Sequence, residues 1–183
     1  ENFSLAFLRN ATAYVHSPLY RIDLVANNLL SSALAYGEIR IQSDGTPWRP
    51  LIHCRDIARA FLAFLEAPRQ AIHNQAVNVG GNSENYQVRD VGDIVQELLP
   101  KARVVYTGET GVDQRSYRVK FDKLEQLLPD FRLQYDLATG MRELRAKLVE
   151  HDFGPADFEG DQFVRLRTLK QRPEKMEGLG RRP

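Results

Sequence analysis

The sequence predicts a mixed α/β protein, on three observations. The run Phe3 to Leu8 (FSLAFL) is nearly continuously apolar, the composition of a strand buried on both faces of a parallel sheet. Downstream, short β-prone runs alternate with segments whose apolar residues recur at helical spacing. Gly, Pro, Asn and Asp punctuate the junctions between them.

In chain order, the run Phe3 to Leu8 is the first strand. Parallel strands arise from crossover units that place a helix before each one. A buried strand at the start of a chain that opens on Glu1 therefore reads as a severed sheet edge, with polypeptide preceding it. A loop leads to a helix from about Asp23 to Tyr36, with Asp23 as N-cap and Gly37 as the residue that turns the chain out. Ile39 to Ile41 alternate as a strand, and SDGT turns the chain. PLIHC (Pro50 to Cys54) is the next strand, and Asp56 is placed to cap a helix over Ile57 to Glu66, which Pro68 ends by excluding helical geometry at Ala67. AVNV (Ala76 to Val79) is a strand. Val91, Ile94, Val95 and Leu98 then form a helical stripe up to Pro100. RVVY (Arg103 to Tyr106) is a further strand, Leu124, Leu127 and Leu128 mark a short helix, and Asp136 caps another with Leu137, Met141, Leu144 and Leu148 on one face. Beyond about His151 the periodicity fades. The division is residues 1–150 as one folded unit and 151–183 as a basic, partly flexible extension.

Composition bounds the function. A length of 183 residues suits one domain with its own core, and 43% hydrophobic with 27% charged residues is ordinary for a globular protein. The net charge of +1 creates no global attraction to nucleic acid or to an anionic bilayer. Charge is uneven, however: Arg165 to Pro183 carries seven basic and two acidic residues, +5, against −4 for the remainder. Nucleic-acid binding by that tail is disfavoured, since aromatic residues are not interleaved with the charges. No apolar run approaches the roughly 18 residues of a spanning helix, so no membrane is expected. The lone Cys54, read as an inert thiol inside an apolar strand, favours a reducing compartment and hence the cytoplasm.

Two segments carry the chemistry. In DGTPWRPLIHCRD, Pro47 and Pro50 stiffen the backbone on both sides of Trp48 and Arg49. Arg49 is a planar fork of donors suited to phosphate or carboxylate, and Trp48 offers a flat apolar face for a base or sugar. The alternative is a surface turn whose tryptophan folds onto the core. His53, on the apolar strand, is expected to be a core residue. In the loop after the first strand, Asn10, Thr12, Tyr14 and His16 sit where the carboxyl end of a parallel strand opens onto a binding crevice. DQRSYRVKFDK is the second segment; alternation would turn Arg115 and Tyr117 to one side, and Arg115 is placed to share a diphosphate with Arg49. The competing reading is an edge strand with solvated charges. Glycine-rich phosphate loops, zinc spacing and a Gly-x-Ser-x-Gly elbow are all missing from the sequence.

LRNATAYVHSP, LIHCRDIARAF, AVNVGG and RSYRV, in that order over about residues 3 to 145, resemble the extended short-chain dehydrogenase/reductase family of NAD-dependent nucleotide-sugar epimerases and dehydratases. The resemblance implies the last strands of a Rossmann-type parallel sheet plus the small mixed α/β substrate-binding domain. It also implies that the glycine-rich loop and the catalytic Tyr-x-x-x-Lys pair belong to an N-terminal Rossmann half; none of the seven tyrosines here has a lysine four residues on. Carried over by position, it places Asn10 and Ala11 beside the nicotinamide of NAD or NADP. It places Thr12, Asn28, Arg49 and Arg115 around a nucleotide-sugar, the two arginines on its diphosphate, and the residue pattern above adds His16 and Trp48 as substrate contacts. Val15 and His16 depart from the Gly-Pro that the family commonly has there. Members of that family often dimerise through helices of the nucleotide half, so the resemblance leaves a homodimer of the complete enzyme open. The rival class is a non-catalytic nucleotide-binding or protein-interaction module.

Overall fold

A computed structural model describes residues 4–18, 20–107 and 115–164 of the chain. The basic tail and most of the TGETG loop lie outside the described residues. The elements in order are β1 (Ala6–Asn10), β2 (Thr12–Tyr14), α1 (Val25–Tyr36), β3 (Glu38–Ile41), β4 (Trp48–His53), α2 (Cys54–Glu66), α3 (Arg69–Ile72), β5 (Gln75–Val79), a single 3-10 turn (Asn82–Glu84), β6 (Asn85–Gln87), α4 (Val88–Leu98), β7 (Arg103–Tyr106), α5 (Asp122–Leu127), α6 (Leu137–Glu150) and α7 (Pro155–Glu159). This is the mixed α/β architecture expected.

Among the described residues, three small sheets organise it. β1 pairs in parallel with β5 (Asn10 opposite Val79), β2 in parallel with β4 (Thr12 opposite Leu51), and β3 in parallel with β7. β6 adds to β4 antiparallel, setting Arg49 opposite Tyr86. The larger core lies among α1, β3, α4 and α6 and buries Leu30, Ile39, Leu51, Leu137, Met141 and Leu144. A smaller one, with Val77, Val79, Phe64 and Phe121, lies where β1 and β5 meet α2 and α5.

Several local expectations are corrected. β1 starts at Ala6 and is not buried on both faces: Leu5 and Phe7 remain exposed, because among the described residues β5 is the one strand beside it. Asp23 does not cap α1. The N-cap is Leu24, without a side-chain bond, since the Asp23 carboxylate is taken by Arg21, whose Nε lies 3.0 Å from Oδ1. α2 begins at Cys54 instead of Ile57, because Asp56 turns inward and His53 caps the helix, its Nδ1 accepting from the Arg55 N–H at 3.1 Å. Cys54 is thus a helix residue, and its thiol donates to the Tyr14 carbonyl at 3.3 Å. Residues 115–120 form no ladder. Asparagine side chains hold this segment instead: Asn85 Oδ1 accepts from Val119 N–H and Asn82 Oδ1 from Phe121 N–H, both at 2.9 Å.

Other expectations match. Gly37 takes the left-handed conformation (φ 67°) that ends α1. Asp136 caps α6 by accepting from Thr139 N–H at 2.7 Å. The packing past residue 150 is not among those expectations: Phe153, Phe158, Phe163 and Val164 lie against the larger core.

Candidate functional site

β4 frames the site. Asp44 and the left-handed Gly45 (φ 81°) turn the chain into it; a side chain there would be strained by that φ, and its Cβ would press on that of Arg89 at 3.0 Å. Val88 N–H donates to the Pro47 carbonyl and Tyr117 N–H to that of Trp48, so both flanks of the Trp48-Arg49 step are fixed. Successive strand residues face opposite ways. Arg49 turns into a cavity of about 570 Å³. Trp48 turns out of it, under the Arg118 guanidinium at 4.5 Å from the ring centre.

That cavity is also lined by Thr12, Asn28, Arg40, Arg115 and Tyr117. Its volume is within the range of small-molecule sites. Arg49 Nη1 donates to the Trp48 carbonyl at 2.8 Å and to the Arg115 carbonyl, and its guanidinium sits 5.4 Å from the Tyr117 ring centre. These bonds hold the fork in place and tie the 115–117 segment to β4. Two guanidinium-bearing walls therefore meet over one volume, an arrangement suited to a polyanion.

A second cavity, of about 190 Å³, lies at the carboxyl ends of β1 and β5 and is lined by Asn10, Ala11, Thr12, Asn78 and Tyr117 among others. Thr12 and Tyr117 border both cavities. Parallel strands open onto ligands at this end.

Of the residues expected at the site, the structure brings Thr12, Asn28, Arg49 and Arg115 to the larger cavity and Asn10, Ala11 and Thr12 to the smaller. It does not bring His16 or Trp48 to either. His16 is stacked between Tyr20 and His151, with ring centres 6.1 and 5.4 Å away; burial, then the neighbouring His151, lowers its pKa. His53 is a core residue, as expected. It is 1% exposed, stacked on Tyr135 at 3.9 Å, with Nε2 3.5 Å from a Glu143 carboxylate oxygen. Burial holds its pKa below the ordinary histidine value.

Sequence reasoning missed Arg40, Tyr117 as a lining residue, and Phe158 and Val164. It also missed Asn27, whose buried amide positions the loop after β2: Oδ1 accepts from Val15 N–H at 3.1 Å and Nδ2 donates to the Arg21 carbonyl at 2.9 Å. The one available signal for Phe158 is GPADFEG, where Gly-Pro followed by Asp marks a short helix start. Among the described residues no group of three His, Cys, Asp or Glu could hold a metal ion, and no helix is long and apolar enough to cross a membrane.

Residues 4–80 match the family model described as the NAD dependent epimerase/dehydratase family. Over those residues the chain is similar to that family. Solved structures agree on the fold. An epimerase from the thermophilic methanogen Methanothermobacter thermautotrophicus aligns with a TM-score of 0.69 at 22% identity, over 81% of this chain and 44% of that one. UDP-glucuronic acid 4-epimerase from Bacillus cereus, solved with UDP-glucuronic acid and NAD, gives 0.68 at 22% identity over 80% and 45%. UDP-glucose 4-epimerase from Thermotoga maritima, solved with UDP-glucose, gives 0.65 at 21% identity over 79% and 45%. The epimerase-like chain thus spans less than half the length of these structures. A search of curated protein sequences finds no significant match.

Proposed function

We propose that this epimerase-like chain is the substrate-binding part of an NAD(P)-dependent nucleotide-sugar epimerase or dehydratase. Arg49 and Arg115 receive the substrate diphosphate. The observation that carries the reading is their shared cavity, with Thr12 and Tyr117 linking it to the pocket at the strand ends.

The residues present fit one end of a dinucleotide only. Asn10 and Ala11 line a pocket large enough for a nicotinamide edge, whereas the sequence has no glycine-rich loop for the pyrophosphate. When bound, the cofactor would supply hydride transfer. The chain's own residues hold the substrate: Arg49 and Arg115 neutralise phosphate charge, Thr12 lies between the two pockets, and Asn28 offers an amide from α1. No Tyr-x-x-x-Lys pair is present for proton transfer, so the acid/base work falls to an N-terminal Rossmann half, which would pair with the open side of β1. A cytoplasmic setting and a homodimer of the complete enzyme belong to the same reading.

Calorimetric titration with UDP-, dTDP- and GDP-sugars tests it. Binding of at least one is expected, weakened ten-fold or more in Arg49→Ala. A silent titration with all three sinks the proposal. The rival, a protein-interaction module, predicts no nucleotide response and a gain in thermal stability only with a protein partner.

A further inference from the structure

The larger cavity has a wall that the diphosphate reading does not use. Phe158 and Val164 line it, on the segment after α6. Phe158 is half-buried and meets Tyr36 edge-on with ring centres 5.4 Å apart. The segment is built into the fold. Gly154 N–H donates to Asp157 Oδ2 at 2.9 Å, the Tyr36 hydroxyl donates to Glu159 Oε1 at 2.7 Å, and Ile22 N–H donates to the Phe163 carbonyl at 3.3 Å. Phe163 packs edge-on against Tyr20 at 5.5 Å. The guanidinium of Arg40, which also lines the cavity, lies 4.1 Å from the Tyr36 ring centre.

We infer that residues 153–164 form part of the ligand site, with Phe158 the contact for the nucleoside of a nucleoside diphosphate. The inference rests on the diphosphate reading of Arg49 and Arg115 and extends it. A cavity that joins guanidinium groups to an aromatic and aliphatic wall matches a ligand with a charged part and a flat, weakly polar part. Inorganic pyrophosphate has the first alone; a nucleotide has both. Stacking on an aromatic side chain tolerates any base, so the wall contributes affinity for the nucleoside without selecting which one.

The test compares two ligands, UDP and inorganic pyrophosphate, on the full chain. Phe158→Leu keeps an apolar side chain against Tyr36 but removes the flat face. It is expected to weaken UDP about ten-fold and leave pyrophosphate within two-fold, with the melting temperature little changed. Phe158→Tyr is expected to restore UDP binding. Arg49→Ala is expected to weaken both ligands. Equal weakening of UDP and pyrophosphate in Phe158→Leu would reduce Phe158 to a prop for the arginine wall and overturn the assignment, as would unchanged affinity for both. If the unmodified chain binds neither ligand, the diphosphate reading fails and this inference falls with it. If Arg49→Ala is silent while Phe158→Leu weakens UDP alone, the arginine role fails and the Phe158 assignment stands.

Discussion

The two cores among the described residues are built from similar residues but finished differently. Around α1, β3, α4 and α6, the apolar faces of strand and helices are covered by the chain itself, and Leu30, Leu51 and Leu144 are completely buried. Around β1 and β5, one face is covered by α2 and α5, while Leu5 just before β1 and Phe7 on it stand half exposed, as do Phe61 and Leu62 on α2, where Leu65 is 81% exposed. Large apolar side chains left in water carry a free-energy cost that burial would remove. A parallel pair also needs both faces and both edges protected. The difference is that the part holding the arginine cavity covers its own apolar faces, whereas among the described residues the β1–β5 part leaves several large apolar side chains exposed.

The largest expected effect separates the two directly. Leu144→Ala, in the closed core, is expected to cost about 2–5 kcal/mol in denaturant unfolding. Phe7→Ser, on the open side, is expected to stay within about 0.5 kcal/mol, as surface changes do, and to reduce self-association. Comparable losses for the two variants break the contrast.

Next comes the joint between the two parts. Asp56 is fully buried on α2, and its carboxylate accepts from the Gln134 N–H at 3.0 Å, the Tyr135 N–H at 3.1 Å and Arg59 Nη1 at 2.7 Å. It thereby ties the open side to the segment leading into α6. In Asp56→Asn one acceptor oxygen remains for three donors, with an expected cost of about 1–3 kcal/mol. Hydrogen exchange sharpens the point: amides of α2 should accelerate in the variant more than those of α4.

The same joint shows what could and could not be read from sequence. An acid two residues after an apolar strand looks like a helix cap, because local spacing is visible and a backbone segment 78 residues away is not. α6 was legible since its cap, Asp136, and its stripe are both local. The α1 cap was misplaced because a neighbouring arginine takes the carboxylate of Asp23. Arg49 stood out by its proline frame. Tyr117 and Phe158 did not, as nothing local distinguishes an aromatic residue lining a cavity from one in a core.

A smaller effect concerns His53, between α2, α6 and the Tyr135 ring. Burial depresses its pKa, opposed by Glu143 and Asp56, while Arg55 pushes the same way as burial. A depressed histidine is neutral in the fold and protonates more readily when unfolded. Its share of stability is therefore complete above the unfolded value near 6.5 and declines as pH falls through it. The melting temperature should drop from pH 7.5 to 5.5. His16 adds to that slope in the same direction. His53→Asn retains an acceptor at the α2 N-cap without the titration, so its curve should be flatter; a parallel curve removes His53 from the account.

The smallest effect is a near cancellation in the loop that feeds the cavity. Val15 is buried at 4% exposure, yet its backbone is left-handed at φ 93°, held there by the Asn27 amide. A β-branched residue in that conformation stores about 1–3 kcal/mol, and burial of its side chain returns about the same. Val15→Gly should therefore change stability by no more than about 1 kcal/mol. Val15→Ala loses most of the burial and keeps the strain, so it should be the less stable variant by about 1 kcal/mol. That order reverses the usual one, in which glycine is worse than alanine at a structured position. Denaturant midpoints for the two variants decide it, and alanine above glycine would mean that the loop relaxes out of the left-handed region once the valine is gone.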